Sequence, residues 1–425
     1  MPSIIQRPSS VGAEVAPSRN IPFIALHYRD FRLLWLGQFI SQAGSQMQNA
    51  ALNWHIYLLT GSPLALGAIG AIRFLPIVFF SLIGGAAADA LDRRRVMIAT
   101  QSALAMIAAV LGLMTLSGRD SLALIYALIA LSATAFAFDN PARQSLIPRL
   151  VSKEHLPNAL SLNTLIFQFA QIIGPTLAGL VIYASPHGVA LVYIINALSF
   201  LAVIIALLLM HTSGQAEEAQ QMNLSALLEG LRFVRRTPII WSTMLLDFIA
   251  TFFASSTYLL PIFARDILRV GAQGYGLLAA APALGALLAG GAMSLLGRLR
   301  RQGPILLLSV TLYGLAIILF GLSPWFITSF LFLALSGAAD TVSTVIRGTI
   351  RQLATPDRLR GRMTAVNMVF FMGGPQLGEL EAGLAAALVG TQPSVVLGGM
   401  GCLIAVALVT ARVPRLRTYQ GDEVG

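Results

Sequence analysis

The chain has 425 residues, of which 56% are hydrophobic and only 11% are charged, and its mean hydropathy is +0.77. A soluble protein carries about 25% charged residues. One water-facing core cannot bury this much apolar side chain, so the composition excludes a soluble globule and indicates an integral membrane protein. The net charge of +10 does not indicate a nucleic-acid partner, because the basic residues form short clusters between apolar segments.

Several function classes are excluded by residues that the chain does not contain. Its single cysteine, Cys402, lies in an apolar run, so no internal disulfide and no Cys-based metal site is expected. The five histidines lie near the ends of apolar runs or between them, and no catalytic residues, metal or cofactor are predicted. No Gly-x-x-x-x-Gly-Lys-Ser/Thr loop is present, which excludes an ATP-driven pump.

Twelve apolar runs are long enough to cross a bilayer, which takes about 20 residues each. In chain order they cover 31–59, 63–88, 96–117, 121–142, 158–184, 188–210, 239–264, 274–297, 303–322, 325–347, 364–388 and 394–411. The polar N-terminal segment lacks the features of a signal peptide, so the first run is expected to be an uncleaved span. The sequence therefore predicts an all-α integral membrane protein with twelve transmembrane helices.

The longest internal polar stretch divides these runs into two groups of six. We predict a cytoplasmic tail at 1–28, a six-helix bundle at 29–211, a central cytoplasmic loop at 212–237, a second six-helix bundle at 238–411 and a cytoplasmic tail at 412–425. Within the central loop, an apolar set recurs at helical spacing beside three arginines: Leu224, Leu227, Leu228, Leu231 and Val234, with Arg232, Arg235 and Arg236. This pattern predicts an amphipathic helix that lies along a membrane surface.

Charge placement predicts the orientation of the protein. If both termini are cytoplasmic, every basic residue falls on the cytoplasmic side except Arg119, Arg265 and Arg269, and Arg73 within a span. This asymmetry obeys the positive-inside rule, and it also favours an even number of helices.

The two halves also resemble each other. Residues 143–163 align without gaps on residues 347–367, and Gly174 and Gly179 then fall on Gly378 and Gly383. Each half therefore carries the same helix, basic loop and helix, as in transporters built from repeats.

Polar side chains recur on one stripe of the first helix, at spacings of four, three, four and four residues. They are Gln38, Gln42, Ser45, Asn49 and Asn53. We favour a water-filled substrate cavity beside this stripe over hydrogen bonds between helices.

Ionisable residues inside spans are costly and usually functional. Asp139 lies four residues from Arg143, and Asp340 lies seven from Arg347, so each is expected to form an ion pair. Arg73 has no acid within a helical turn, so its partner must come from another helix.

Two carboxylates lack a basic residue within a turn of their own helix, and these are Asp247 and Glu379. Burial makes an uncompensated carboxylate take up a proton more readily. Asp247, Glu379 and Arg73 are therefore the candidates for proton coupling, whereas Glu381 is expected to face water.

The second run ends in Gly85-Ala-Ala-Ala-Asp89-Ala-Leu-Asp92-Arg93-Arg94-Arg95. This segment resembles the loop between helices 2 and 3 of the major facilitator superfamily, Gly-x-x-x-Asp-Arg-x-Gly-Arg-Arg. Gly85, Asp89, Arg93 and Arg94 match the motif, and Ala90 and Asp92 depart from it. The resemblance implies a gate at the cytoplasmic side, with Asp89 as the residue that holds it closed.

The fifth run contains Ala170-x-x-x-Gly174-Pro175-x-x-Ala178-Gly179. It resembles the exporter motif Gly-x-x-x-Gly-Pro-x-x-Gly-Gly of the same superfamily, with two glycines replaced by alanine. Small residues at this spacing allow close helix packing, and Pro175 bends the helix. Further stretches at 29–35, 138–144, 156–160 and 357–363 are similar to the branch with the enterobactin exporter and macrolide-type efflux pumps. Asp139, Arg143, Gly174 and Pro175 thus join the expected gating residues.

The resemblance implies the major facilitator fold and a secondary exporter that works by alternating access. It implies a drug-like compound or siderophore as substrate, protons as the coupling ion, and a monomer in the bacterial inner membrane. Residues 127–135 lack the Arg-x-x-x-Gly signature of many proton antiporters, so the coupling ion rests on the resemblance alone. An uptake symporter or facilitator of the same fold, and a non-transporting membrane sensor, are the alternatives.

Overall fold

The computed structural model describes residues 23–212, 214, 224–296 and 300–421. Almost all of this part is helical. The helices are α1 Arg29–Thr60, α2 Pro63–Ala90, α3 Arg93–Leu116, α4 Leu122–Leu146, α5 Leu156–Ala184, α6 Gly188–Leu209, α7 Leu224–Arg236, α8 Pro238–Phe253, α9 Leu260–Ile262, α10 Gly271–Leu296, α11 Gln302–Leu322, α12 Phe326–Leu353, α13 Arg360–Val389, α14 Thr391–Arg412 and α15 Pro414–Thr418. A 3₁₀ turn at Ser256–Leu259 precedes α9, and a π-helical turn at Phe263–Ile267 follows it.

Local sequence signals set several of these helix boundaries. The Ser62 side chain accepts a hydrogen bond from the Ala65 backbone N–H, and Pro63 occupies the first position of α2. Asp92 caps α3 by accepting from the backbone N–H groups of Arg94 and Arg95. The departure at Asp92 from the superfamily motif therefore has a structural role.

Ten helical segments in the described residues are long and apolar enough to cross a membrane. The helices α1 and α13 are also long enough, with 32 and 30 residues. They contain no stretch as hydrophobic as those in the ten apolar segments. Both carry polar side chains along their length, including the predicted stripe on α1. The prediction of a many-span helical membrane protein is confirmed, with ten of the twelve predicted spans meeting the apolar criterion.

Helix packing is densest within two segments of the chain. In residues 29–209, α1 packs against α5 and α6, α2 against α4, and α3 against α4 and α6. In residues 238–412, α8 packs against α13 and α14, α10 against α12, and α11 against α12 and α14. Two extensive contacts join the segments, one between α5 and α10 and one between α2 and α13.

Glycines form the centre of both contacts between the segments. A Cβ atom added to Gly383 would lie 2.7 Å from the Gly67 Cα, and one added to Gly276 would lie 3.0 Å from the Gly179 Cα. Neither site has room for a side chain, so the helix backbones touch. Both contacts lie toward the Thr60–Pro63 end of the molecule, which we term the closed end.

The internal repeat reappears in these contacts. Gly174 packs against the α1 backbone at Met47, and the aligned Gly378 packs against the α8 backbone at Phe252. Gly179 and Gly383 then each contact a glycine of the other segment. Aligned glycines thus occupy equivalent positions in the two segments.

The predicted amphipathic helix is present as α7, with part of its apolar face packed against protein. Val234 is completely buried beside Ile240 of α8 and Met363 of α13. Arg362 forms an ion pair with Glu229. Val234 is thus covered by α8 and α13, and the placement of this helix on a membrane surface stays a prediction.

Candidate functional site

A cavity of about 330 Å³ lies between α1 and the helices around it. Gln38, Gln42, Ser45 and Asn49 of the predicted polar stripe line it, and side chains of α2 to α6 complete most of the wall. Met372 and Gln376 of α13 also contribute, so both segments of the chain contact this space.

A second cavity of about 150 Å³ adjoins the first toward the closed end. Asn53, the last residue of the polar stripe, lines this smaller space with Tyr258 and Tyr275. Asn49 and Arg73 line both cavities. The structure thus places all five residues of the stripe on cavity walls.

Asp139 and Arg143 occupy the wall of the larger cavity. Their side chains approach to 3.8 Å, the ion pair expected from their spacing. Asp139 accepts hydrogen bonds of 2.9 Å from Thr100 and from Gln101, and Arg143 donates one of 3.0 Å to Gln38. Only 2% of Asp139 is exposed, so these neighbours replace its hydration.

Glu379 is buried at the contact between α2 and α13, with 1% of its surface exposed. A Cβ atom on Gly70 would lie 2.9 Å from the Glu379 Oε2, so only glycine leaves room for this carboxylate. Arg73 and Tyr258 are the polar groups that act on it, and its Oε2 has no hydrogen-bond partner among the described residues. Arg73 also donates a 3.0 Å hydrogen bond to Asn49. The structure thus gives Arg73 a hydrogen-bond partner on another helix, Asn49 of α1, and brings its charge near Glu379 of α13.

Asp247 has a different environment. Its carboxylate lies 2.9 Å from the Arg347 guanidinium and 3.9 Å from that of Arg351. Arg347 also lies 3.5 Å from Asp340, the pairing predicted from their spacing. The premise that Asp247 is uncompensated is wrong, because α12 supplies two arginines that its own helix lacks.

The structure describes the predicted gating loop except for some of its side chains. A Cβ atom on Gly85 would meet no atom within 4 Å, so no helix packs closely against this glycine. Arg93 donates to the Ser145 carbonyl and Arg94 to the Leu208 carbonyl, which joins the start of α3 to the ends of α4 and α6. The side chain of Asp89 lies outside the described residues.

The exporter-like motif on α5 forms two tight contacts. A Cβ atom on Gly174 would lie 2.5 Å from the Gln46 Cβ on α1. A Cβ atom on Gly276 of α10 would lie 2.4 Å from the Pro175 carbonyl oxygen. The motif therefore packs α5 against both α1 and α10.

The described residues contain no group of three or more His, Cys, Asp or Glu side chains that could hold a metal ion. The chemistry of this region is that of a hydrogen-bonding cavity with buried ion pairs beside it. Such an arrangement fits the binding of a solute within a bundle of helices.

Comparison with known proteins identifies the group to which this architecture belongs. Residues 21–423 match the family described as transmembrane secretion effector. The chain belongs to this family of the major facilitator superfamily. It is a multi-pass membrane transporter and not an enzyme.

The chain is similar to the enterobactin exporters EntS of Shigella boydii and Escherichia coli. Each is 27% identical over 390 residues, which cover 92% of this chain and 93% of the relative. The match includes nearly the whole of both proteins.

Solved structures share the fold at lower sequence identity. A bacterial homologue of the human lysosomal transporter Spinster, in an inward-facing and occupied conformation, has a TM-score of 0.72 at 14% identity, over 94% of this chain and 98% of that chain. A bacterial homologue of the iron transporter ferroportin has a TM-score of 0.67 in its inward-facing state, over 92% of this chain and 99% of that chain. Its outward-facing state gives 0.58 over 90% of this chain and 99% of that chain, and both states are 18% identical.

The transporter also has contacts at its closed end that the sequence did not reveal. Trp54 of α1 stacks on Tyr275 of α10 with ring centroids 5.3 Å apart, and the Tyr275 hydroxyl donates to the Ala50 carbonyl. Tyr57 of α1 donates to Asp266 of the π-helical turn. These aromatic residues carry no periodic signal. The only signal for these contacts in the sequence was that the aromatic residues lie near the ends of predicted spans.

Proposed function

We propose that this transporter is a secondary active exporter of a small molecule and that it works by alternating access. In this proposal, twelve spans form two six-helix bundles at 29–211 and 238–411. Both termini are cytoplasmic, and a monomer in a bacterial inner membrane is the working unit. The bundles rock about the central cavity so that it opens to one side of the membrane at a time.

The backbone contacts at the closed end support this mechanism. If the arginine-rich helix ends are cytoplasmic, then the α2–α13 and α5–α10 contacts close the external side of the cavity. This arrangement corresponds to an inward-facing state. The higher TM-score to the inward-facing ferroportin homologue is consistent with it.

The opposite state requires a second closure near the arginine clusters. We assign this closure to Gly85, Asp89, Arg93 and Arg94 in the loop between α2 and α3, together with the Asp139–Arg143 pair. The absence of close packing at Gly85 is what an open cytoplasmic side requires.

Export is the favoured direction because the relatives are enterobactin exporters and because α5 carries the exporter-like motif. A siderophore or a drug-like compound of comparable chemistry is the proposed cargo. The larger cavity, which contacts both segments of the chain, is the proposed binding site.

Burial of Glu379 is the single observation that supports proton coupling most strongly. This carboxylate lies within a contact that must separate when the external side opens, and one of its oxygens has no partner among the described residues. Separation of α2 from α13 would expose it to external water, where it can exchange a proton. Asp247 is the weaker candidate, because two arginines already neutralise it.

Accumulation of enterobactin in inverted membrane vesicles tests this function. An acidic lumen should drive accumulation, and an ionophore that collapses the pH gradient should abolish it. Accumulation that ignores the gradient would refute proton antiport. Uptake only by right-side-out vesicles would establish the symporter or facilitator, and no movement in either orientation would refute enterobactin as the cargo.

A further inference from the structure

Glu379 is separated from water while the external side is closed. It is 1% exposed, and it is not among the described residues that line either cavity. A proton antiporter must nevertheless release its proton to the cytoplasm in this state, because release after the external side opens would return the proton to the side from which it came. The proton must therefore cross at least one other polar group to reach the cavities.

Two described residues act on Glu379 and also line the smaller cavity, and these are Arg73 and Tyr258. Arg73 cannot carry the proton, because a guanidinium has only donors and stays protonated in proteins. The Tyr258 hydroxyl can both donate and accept, and it approaches the carboxylate as a donor. Asp247, the ionisable residue of the adjacent α8, is paired with Arg347 instead. Tyr258 is therefore the group that can pass a proton between the carboxylate and the cavity.

Tyr258 is positioned by a break in a membrane-spanning helix. The apolar segment Pro238–Ile267 is long enough to cross a membrane, yet α8 ends at Phe253 and a 3₁₀ turn occupies Ser256–Leu259. Thr257 and Tyr258 of this turn line the smaller cavity. Irregular backbone at membrane depth is tolerated where it is buried in protein or lines a water-filled space. The break therefore supports a hydrated cavity beside Tyr258.

The smaller cavity is large and polar enough to hold water. Its volume of about 150 Å³ corresponds to about five water molecules at about 30 Å³ each. Asn53, Arg73 and Thr257 supply hydrogen-bonding groups on its wall. Gln46, Asn49 and Arg73 line both cavities, which places the two spaces side by side. In the inward-facing state of the proposed function, the larger cavity leads to the cytoplasm.

From this geometry we propose that Tyr258 and water in the smaller cavity carry protons between Glu379 and the larger cavity. On release, the Glu379 O–H bond breaks and its proton moves to the Tyr258 oxygen, while the hydroxyl proton of Tyr258 passes to a water molecule. The products are a carboxylate, an unchanged tyrosine and a hydronium ion, and the Arg73 charge stabilises the carboxylate. This inference rests on the proposed function, because it assigns a path to the proposed coupling proton.

Hydrogen–deuterium exchange of the Glu379 carboxyl group tests this path without any substrate. The purified full-length chain in lipid nanodiscs is moved from H₂O to D₂O at mildly acidic pH, and infrared spectroscopy follows the C=O band of the protonated carboxyl group. Subtraction of the spectrum of Glu379→Gln isolates this band. We expect exchange to be at least about tenfold slower in Tyr258→Phe than in the unmodified chain. Unchanged exchange in Tyr258→Phe would overturn the proposal.

Tyr126→Phe is the matched control for the loss of a tyrosine hydroxyl. The Tyr126 hydroxyl donates to the Ala65 carbonyl at 2.7 Å, and Tyr126 does not line either cavity. Its removal should leave the exchange rate unchanged, and slowing equal to that in Tyr258→Phe would contradict the path. Ala279→Leu decides the question if Tyr258→Phe fails to fold. Ala279 lines the smaller cavity, so the larger apolar side chain should displace water and slow exchange, and an unchanged rate would again overturn the proposal.

The exchange assay uses no ion gradient, so it separates this inference from the transport proposal. Slow exchange in Tyr258→Phe without gradient-driven transport of enterobactin would refute the exporter function but leave the path standing. Gradient-driven transport with equal exchange rates in Tyr258→Phe and the unmodified chain would refute the path alone. Absence of a Glu379 band would refute both the path and the role of Glu379 in coupling.

Discussion

Replacing Gly276 by valine should destabilise the contact between α5 and α10 and open the closed end of the cavity. A Cβ atom at this position would lie 2.4 Å from the Pro175 carbonyl oxygen and 3.0 Å from the Gly179 Cα. Both are backbone atoms, so the clash cannot be relieved by a side-chain rotation. The two helices must separate by about 1 Å to restore normal contact distances.

The size of the effect follows from the cost of overpacking. Extra methyl groups in a packed contact cost about 1–3 kcal/mol. If the closed state bears this cost and the open state does not, the equilibrium shifts toward the open state by about 5- to 150-fold. Transport should slow as well, because every cycle passes through the closed state.

Cysteine accessibility in intact cells measures this shift. Cys402 is the only native cysteine and is buried, so Cys402→Ala gives a background without reactive thiols. A cysteine introduced by Ala279→Cys lies on the smaller cavity, and a membrane-impermeant maleimide added outside should label it faster in Gly276→Val. Gly291→Val is the matched control on the same helix, because a Cβ atom there meets nothing within 4 Å. Equal labelling rates in the two variants would refute the assignment of this contact as the external closure.

Three further substitutions have defined outcomes. Asp247→Ala should lower the free energy of unfolding by about 3–5 kcal/mol, because it leaves buried arginines without their nearest carboxylate. Adding Arg347→Ala should recover part of this loss in a double-mutant cycle. Glu379→Gln should abolish the dependence of transport on the pH gradient. The control Glu381→Gln, two residues further along α13, should retain this dependence. The same response from both variants would exclude Glu379 as the coupling group. Asp92→Ala removes the cap of α3 and should lower stability by about 0.5–2 kcal/mol in thermal unfolding, and an unchanged melting temperature would contradict its capping role.

The sequence predicted the features that follow from periodicity within one helix. The stripe from Gln38 to Asn53 recurs at helical spacing, and the structure places its members along cavity walls. The Asp139–Arg143 pair was predictable for the same reason, since residues four apart lie on one face of a helix. Such local relations need no knowledge of how the helices are arranged.

Pairings between distant helices were not predictable in this way. Asp247 and Arg347 lie 100 residues apart, and only the packing around α8 places them 2.9 Å from each other. The sequence consequently ranked Asp247 equally with Glu379 as an uncompensated carboxylate. The environments of the two residues differ because α12 brings arginines to Asp247, whereas α2 brings glycines and Arg73 to Glu379.

The orientation of Gln38 and Gln101 also required the structure. A polar stripe predicts which residues face a cavity, but it does not say which amide atom remains free. That follows from the contact of each carboxamide with the Asp139–Arg143 pair, which comes from neighbouring helices. The hydrogen-bond partners of these two side chains are therefore a tertiary property.

Proton movement driven by the substrate tests the central claim most directly. The purified transporter is reconstituted into liposomes that contain a pH-sensitive dye, and enterobactin is added outside without an imposed pH gradient. Antiport moves protons out as the substrate enters, so the lumen should become alkaline in the unmodified protein and show no change in Glu379→Gln. Acidification of the lumen would establish symport, and substrate entry without any pH change in the unmodified protein would contradict proton coupling.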